Sequence, residues 1–164
     1  MKTHYYDSAD KRVVLSVIVT NENSVLSRIS GLFSARGYNI DSLTVAPVPF
    51  NESDSRITIV TVGSARVIEQ ISKQLNKLIP VKSVKVHESF IEKDTVLIKI
   101  PLDKDLSNIE VLAKTYNGEI QNVTDNAIVI LATDDPNRIA NFIKIMERYE
   151  PIEIVRSGVI ALER

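Results

Sequence analysis

Apolar residues recur in two rhythms along this chain, every second residue and every third or fourth, and the two rhythms alternate from one segment to the next. Val13-Val14-Leu15-Ser16-Val17-Ile18-Val19 is an apolar run of strand length. A short polar stretch, Asn21-Glu22-Asn23-Ser24, follows. Val25, Leu26, Ile29, Leu32 and Phe33 then return at three- and four-residue spacing and predict an amphipathic helix, closed by Arg36-Gly37 as a helix C-terminus prefers. Tyr38 to Pro47 reads as a second strand, and Pro49-Phe50-Asn51-Glu52-Ser53-Asp54-Ser55 as a polar loop. Arg56-Ile57-Thr58-Ile59-Val60-Thr61-Val62 alternates as a third strand. Ile68, Ile71, Leu75 and Leu78 mark a helix that runs through Asn76 and is stopped by Pro80, and Val81, Val84 and Val86 mark a fourth strand. Strand, helix, strand, strand, helix, strand is the split βαβ, ferredoxin-like order, with both helices on one face of a four-stranded antiparallel sheet.

The second half repeats that order at a spacing of roughly 80 residues, with little residue identity. Thr95-Val96-Leu97-Ile98-Lys99-Ile100 is a strand ending at Pro101. Leu106, Ile109, Leu112, Ala113 and Tyr116 give a helix closed by Asn117-Gly118. Glu119 to Val123 and Ala127 to Leu131 form a hairpin around Asp125-Asn126. Asp135-Pro136 is a good helix start, a capping side chain before proline at the first helical position, and Ile139, Phe142, Ile143 and Met146 line that helix. Ile152-Glu153-Ile154-Val155 is the last strand, with Val159-Ile160-Ala161-Leu162 as its extension. The expected class is therefore α+β, two ferredoxin-like βαββαβ units, divided as a disordered tail over 1–11, a first domain over 12–89 and a second over 90–164.

Composition narrows what such a chain can do. Its 164 residues are 44% hydrophobic but only 5% aromatic, so the cores must be mainly aliphatic. Lys and Arg number 20 against 21 Asp and Glu, a net charge of −1, without the basic excess of a nucleic-acid surface. No run of 18 apolar residues suggests a membrane span, and the polar start lacks a signal core. With no cysteine there is no disulfide, thiolate catalyst or cysteine metal site, and a cytoplasmic location is expected. His4 and His87 lack neighbours at metal-ligand spacing and are poor candidates for ligand or general base. Each half is near the lower size limit for a domain with its own core. The sheet face away from the helices, with Leu43, Val45, Ile57 and Ile59 among its candidates, is expected to be open yet apolar. Together with unpaired edge strands this predicts a dimer or larger assembly.

The segment from Asn21 to Leu26 is the most telling for chemistry. A short polar loop opens onto a helix N-terminus, where free N–H groups and the helix dipole favour an anion such as a carboxylate. The bland alternative is that Asn21 and Asn23 merely form turns and caps, and that Asn39 caps the turn after Gly37.

Taken together, Asn21-Glu22, Val25-Leu26-Ser27-Arg28, Gly31-Leu32-Phe33-Ser34, Arg36-Gly37-Tyr38-Asn39-Ile40, Ser42 to Pro47, Ser55 to Val60 and the closing Arg156-Ser157-Gly158-Val159-Ile160-Ala161-Leu162-Glu163-Arg164 resemble the small regulatory subunits of acetolactate synthase. The resemblance runs from about Val13 to the end of the chain. It implies that the first unit is an ACT domain, the ferredoxin-like amino-acid-sensing module. It further implies a protein without catalytic residues. Such a subunit activates a thiamine-diphosphate-dependent large catalytic subunit and confers feedback inhibition, usually by valine, on branched-chain amino acid biosynthesis. Thiamine diphosphate, magnesium and FAD would belong to that partner, and this chain would carry no cofactor or metal. The first units would pair as a homodimer with one continuous sheet. An effector would lie between the loop residues Asn21, Glu22, Asn23, Ser24, Val25 and Leu26 of one copy and Asn39 and Ile40 of the other, with Ile40 or Val25 against its side chain. Ser24 stands where the family normally has glycine, which puts effector affinity and selectivity in question. Arg156-Ser157-Gly158 would suit docking of the catalytic subunit.

Rival readings fare worse. An acylphosphatase needs a glycine-rich, arginine-bearing loop after its first strand, which Asn21 to Ser24 is not. A transcription regulator needs a basic helix pair for which the chain has no room. A free-standing amino-acid sensor is the closest alternative.

Overall fold

The computed structural model describes residues 9–164. The elements in order are β1 (Lys11–Thr20), α1 (Val25–Ala35), β2 (Ser42–Val48), β3 (Asn51–Gly63), α2 (Ala65–Leu75), β4 (Val81–Val86), β5 (Phe90–Pro101), α3 (Ile109–Thr115), β6 (Gly118–Val123), β7 (Ala127–Asp134), α4 (Pro136–Met146), a 3-10 turn (Glu147–Tyr149), β8 (Glu153–Arg156) and β9 (Ile160–Glu163). Two antiparallel sheets result, ordered β2-β3-β1-β4 and β6-β7-β5-β8, with β9 pairing with β5. Both have the ferredoxin-like order anticipated from the two rhythms. The chain divides at Ile91/Glu92, inside β5, and its last four residues belong with the first unit. Of the tail expected over 1–11, residues 1–8 lie outside the described residues, and Lys11 already belongs to β1.

In the first unit the periodic faces of α1 and α2 meet one face of the sheet. Val25, Ile29, Leu32 and Phe33 from α1 and Ile68, Ile71 and Leu75 from α2 join Leu15, Val17, Ile57 and Ile59 in one cluster. Ile57 and Ile59 therefore face the helices, as does Leu43, which pairs with Ile59, and Val45, which pairs with Ile57. This corrects the expectation that these residues lie on the opposite face. The face away from the helices instead carries Val14, Ser16, Thr58 and Val60, and these are buried too. With both faces buried, alternation carries no face label, as happens for central strands.

The polar run expected as a loop over 49–55 is mostly strand. The turn is only Pro49-Phe50, with Phe50 at φ +64°, and Val48 pairs with Asn51 across it. Polar residues are tolerated here because they bond one another: Asn51 Nδ2 donates to Asp54, Ser53 Oγ donates to Asn51, and Lys82 pairs with the buried Asp54.

The C-terminal extension of β8 is likewise a separate strand. Ser157 interrupts it by donating its N–H to the Thr95 carbonyl and accepting from the Thr95 N–H on its Oγ. Glu163 of β9 then meets Lys85 Nζ at 2.6 Å and His87 Nδ1 at 3.2 Å, and the Arg164 N–H donates to the Ser89 carbonyl. The Lys85 ammonium, with His87 beside it, holds the Glu163 carboxyl below the usual carboxylate range.

The second core is built from Val96, Ile98, Ile100, Ile128, Ile130, Ile139, Phe142 and Met146. At one end of its sheet lies a buried ionic cluster. Asp134 accepts from Arg138 Nε, Lys93 Nζ, Asn117 Nδ2 and the Asp135 N–H. Burial alone would raise its pKa, but these donors override it and bring the carboxyl down to about 2. A folded-state pKa below the unfolded value contributes stability that is complete above about pH 4 and is lost as pH falls through about 2. Replacing Asp134 with Asn should cost about 2 kcal/mol at neutral pH. It should also flatten the loss of stability between about pH 4 and 2, as read by urea unfolding followed by circular dichroism. An unchanged acid limb in the variant would contradict this assignment.

Candidate functional site

Residues 21–24 form a tight passage from β1 to α1. The Thr20 N–H donates to the Pro80 carbonyl, the Asn21 N–H to the Ser53 carbonyl, and Asn21 Nδ2 to the Glu52 carbonyl at 3.1 Å. Asn21 thus ties the loop to the start of β3 through its Nδ2 donor, and its Oδ1 is of acceptor type. The Ser24 carbonyl accepts from the Arg28 N–H, which starts the helix ladder. Ser24 is the N-cap residue, at φ +69° and ψ −2°, and its hydroxyl makes no capping bond. The first-turn N–H groups of α1 consequently have no side-chain cap, and no acidic residue stands in that turn. Such an end presents donors and a partial positive charge to an anion.

The left-handed conformation is one that glycine would adopt without strain. A Cβ at this φ is disfavoured by roughly 1–2 kcal/mol, whereas glycine is not. The second unit uses the same device, with Asn108 at φ +64° capping α3.

Of the loop residues, Asn21, Glu22, Asn23, Ser24 and Leu26 are exposed. Val25 is not. Its side chain is 4% exposed within the core cluster, so only its N–H is available to a ligand, and Leu26, 42% exposed, is the apolar side chain presented at the loop. Ile40 is half-buried against the core. Asn39 is exposed, its Nδ2 donates to Asp41 Oδ1 at 2.5 Å, and its carbonyl accepts from Thr61 Oγ1.

Within one chain these groups are far apart. Asn21 bonds to Ser53, near the Thr20↔Asp54 pair, while Asn39 bonds to Thr61, which pairs with Val13. From Asp54 to Thr61 is about 20–25 Å along an extended strand. Asn39 and Ile40 therefore lie at the opposite end of the first sheet from the loop. A site using both sets must take them from two copies. β2, which follows Ile40, is an edge strand of the first sheet.

Sequence reading passed over one arrangement. Ser16 Oγ lies 2.7 Å from His87 Nε2, and His87 Nδ1 lies 3.2 Å from Glu163. That is the order of a nucleophile, a base and an orienting acid. Ser16 is nevertheless only 5% exposed, in the middle of the first unit's central strand, so it is inaccessible to substrate and the trio is a structural tie. No spacing in the sequence announces it. His4 lies outside the described residues. Among the described residues no group of three or more His, Cys, Asp or Glu is arranged to hold a metal ion, and no helix is long and apolar enough to cross a membrane.

The first unit is thus an antiparallel βαββαβ unit with an uncapped helix start after its first strand, the architecture of a ferredoxin-like domain. Comparison with known proteins is more particular. Residues 15–83 match the small subunit-like ACT domain of acetohydroxyacid synthase, and residues 93–164 match the small subunit of acetolactate synthase. The chain is 39% identical over 157 residues to the acetolactate synthase small subunit of Buchnera aphidicola subsp. Schizaphis graminum, covering 93% of this chain and 99% of that one. It is 38% identical over 161 residues to the small subunit of Escherichia coli acetolactate synthase isozyme 3, covering 93% and 96%. The crystal structure of the Thermotoga maritima small subunit superposes with a TM-score of 0.87 at 30% identity, over 94% of this chain and 98% of that chain. The chain belongs to the acetolactate synthase small-subunit family, as its resemblance implied.

If Ser24 is held at a strained φ, Ser24→Gly should stabilise the protein by about 1 kcal/mol, raising Tm by roughly 2–4 °C for a chain of this size. Ser24→Ala, which keeps the Cβ, should gain none of this. Equal melting of all three proteins would contradict the strain.

Proposed function

We propose that this chain is the regulatory partner of a thiamine-diphosphate-dependent acetolactate synthase catalytic subunit, with no chemistry of its own. It raises that subunit's turnover and transmits feedback inhibition by a small branched-chain amino acid, valine in the first instance. The cofactors thiamine diphosphate, magnesium and FAD reside on the catalytic subunit, and the reaction falls in the cytoplasm.

The observation that carries the effector reading is the separation of the two halves of the site. Two copies joined along their β2 edges by a two-fold axis run antiparallel. That reversal brings the Asn39 end of one sheet toward the loop end of the other. The effector carboxylate then meets the N–H groups of Ser24, Val25 and Leu26. The Asn21 and Asn39 side-chain oxygens accept from the ammonium, and their amide N–H groups supply further donors. Leu26 and the partner copy's Ile40 flank the aliphatic side chain, with Glu22 and Asn23 at the rim. Pairing also covers the unpaired edge of β2.

Purified alone, the protein should form no acetolactate from pyruvate. With its cognate catalytic subunit it should raise turnover and impart inhibition by valine. Absence of any stimulation would overturn the reading. Light scattering should give at least twice the 18.3 kDa chain mass. Asn39→Ala should weaken effector binding about 10- to 100-fold by calorimetry, the loss expected for one hydrogen bond to a charged group. Parent-like affinity in that variant would place the effector elsewhere.

A further inference from the structure

The end of the first unit remote from the α1 loop holds a pocket of about 660 Å³ between α2 and the ends of β1, β3 and β4. Its walls are aliphatic, from Val13, Ile68 and Val86, and its polar side chains are Lys11, Glu69, Ser72 and Glu88. The volume and the apolar lining with a few charged groups are those of a small-molecule site.

The second unit carries different side chains at the corresponding end. Lys11 pairs with Gly63, next to the cap residue Ser64, just as Asp94 pairs with Asp134, next to the cap residue Asp135. Leu15 pairs with Val86 as Ile98 pairs with Ile154, so Glu88 corresponds to Arg156, and Val67 to Arg138. In the second unit the two arginines occupy this region. Arg156 donates to Asp94 Oδ2 at 2.7 Å and to the Pro136 carbonyl, and Arg138 donates to Asp134 and to the Thr115 carbonyl. The first unit has the shorter Glu88, which lines the pocket, where the second has Arg156, whereas Val67 at the Arg138 position packs against the core instead.

We propose that this pocket is a second ligand site, separate from the α1 loop, for a small aliphatic molecule ending in a primary ammonium. Glu69 and Glu88 set two carboxylates at the pocket, beside Lys11. Glu69 already accepts from Lys73 at 2.6 Å, and a carboxylate has acceptor capacity beyond one such bond. Glu69 and Glu88 thus receive the ammonium while the hydrocarbon body lies against Val13, Ile68 and Val86. A free amine and an aliphatic amino acid share this chemistry, and in the latter Lys11 also faces the carboxylate.

The test is a methyl NMR titration of the full chain with 3-methylbutylamine, with leucine, and with 3-methylbutanoate. The amine, leucine or both should shift the Val13, Ile68 and Val86 methyls saturably below about 10 mM. Which of the two binds identifies the source. Ala65→Trp, placing a ring at the exposed pocket wall, should abolish the shifts, and Glu88→Lys should weaken them by about tenfold or more. Both substitutions are at exposed positions. Asn39→Ala should leave them unchanged. Silence of these methyls with the amine and leucine, equal response to 3-methylbutanoate, or binding that survives both pocket variants would overturn the proposal. The Leu26 and Ile40 methyls report the loop site independently, so failure here is distinct from failure there.

Discussion

The antiparallel register of β1 against β3, from Lys11↔Gly63 to Thr20↔Asp54, is the constraint on which the first unit depends. It aligns Leu15 and Val17 with Ile59 and Ile57 under the helices, and Val14 with Val60 on the other face. It also sets the two ends of the unit: the α1 loop at one, and Asn39, bonded through Thr61, together with the α2 pocket at the other. A slip of one residue would exchange the two faces of β1 and move every one of these groups. The proposed two-copy effector site follows from that separation rather than from any property of a single residue.

Much of this was legible in the sequence. The helices show their faces because Ile68, Ile71 and Leu75 or Ile139, Phe142 and Met146 have polar neighbours between them. The repeat of element order gave both units. What failed did so for identifiable reasons. Ile57, Thr58, Ile59 and Val60 are all nearly fully buried, so no polar face distinguished the helix side of β3. Asn51 to Ser55 looks like a loop because its polar groups satisfy one another across only a few residues, a pattern that hydropathy does not encode. The separation of β9 from β8 rests on Ser157 bonding Thr95, 62 residues away, which local signals cannot reveal. At the site, the loop residues were visible from helix-start chemistry and family resemblance together. Val25's burial and the left-handed Ser24 needed coordinates.

The two units use one plan for different ends. Both begin their first helix from a residue in the left-handed region, Ser24 and Asn108, but asparagine tolerates that conformation better than serine. At the remote end, the second unit pairs Arg138 with Asp134 and Arg156 with Asp94, while the first has an aliphatic pocket. The first unit therefore combines a bare helix start at one end with an open pocket at the other. The second carries paired charges at the corresponding remote end.

The central claim is that one effector site draws on two copies of the chain. It is tested most directly by calorimetry on mixed dimers. One chain carries Leu26→Asp, which sets a carboxylate at the loop, and the other carries Asn39→Ala. Each variant alone should bind effector poorly, since both of its sites are damaged. The mixed dimer regains one intact site, built from the loop of the Asn39→Ala chain and the Asn39 of the other, and should bind one effector per dimer with parent-like affinity. A mixed dimer that binds as poorly as either variant alone would contradict the account.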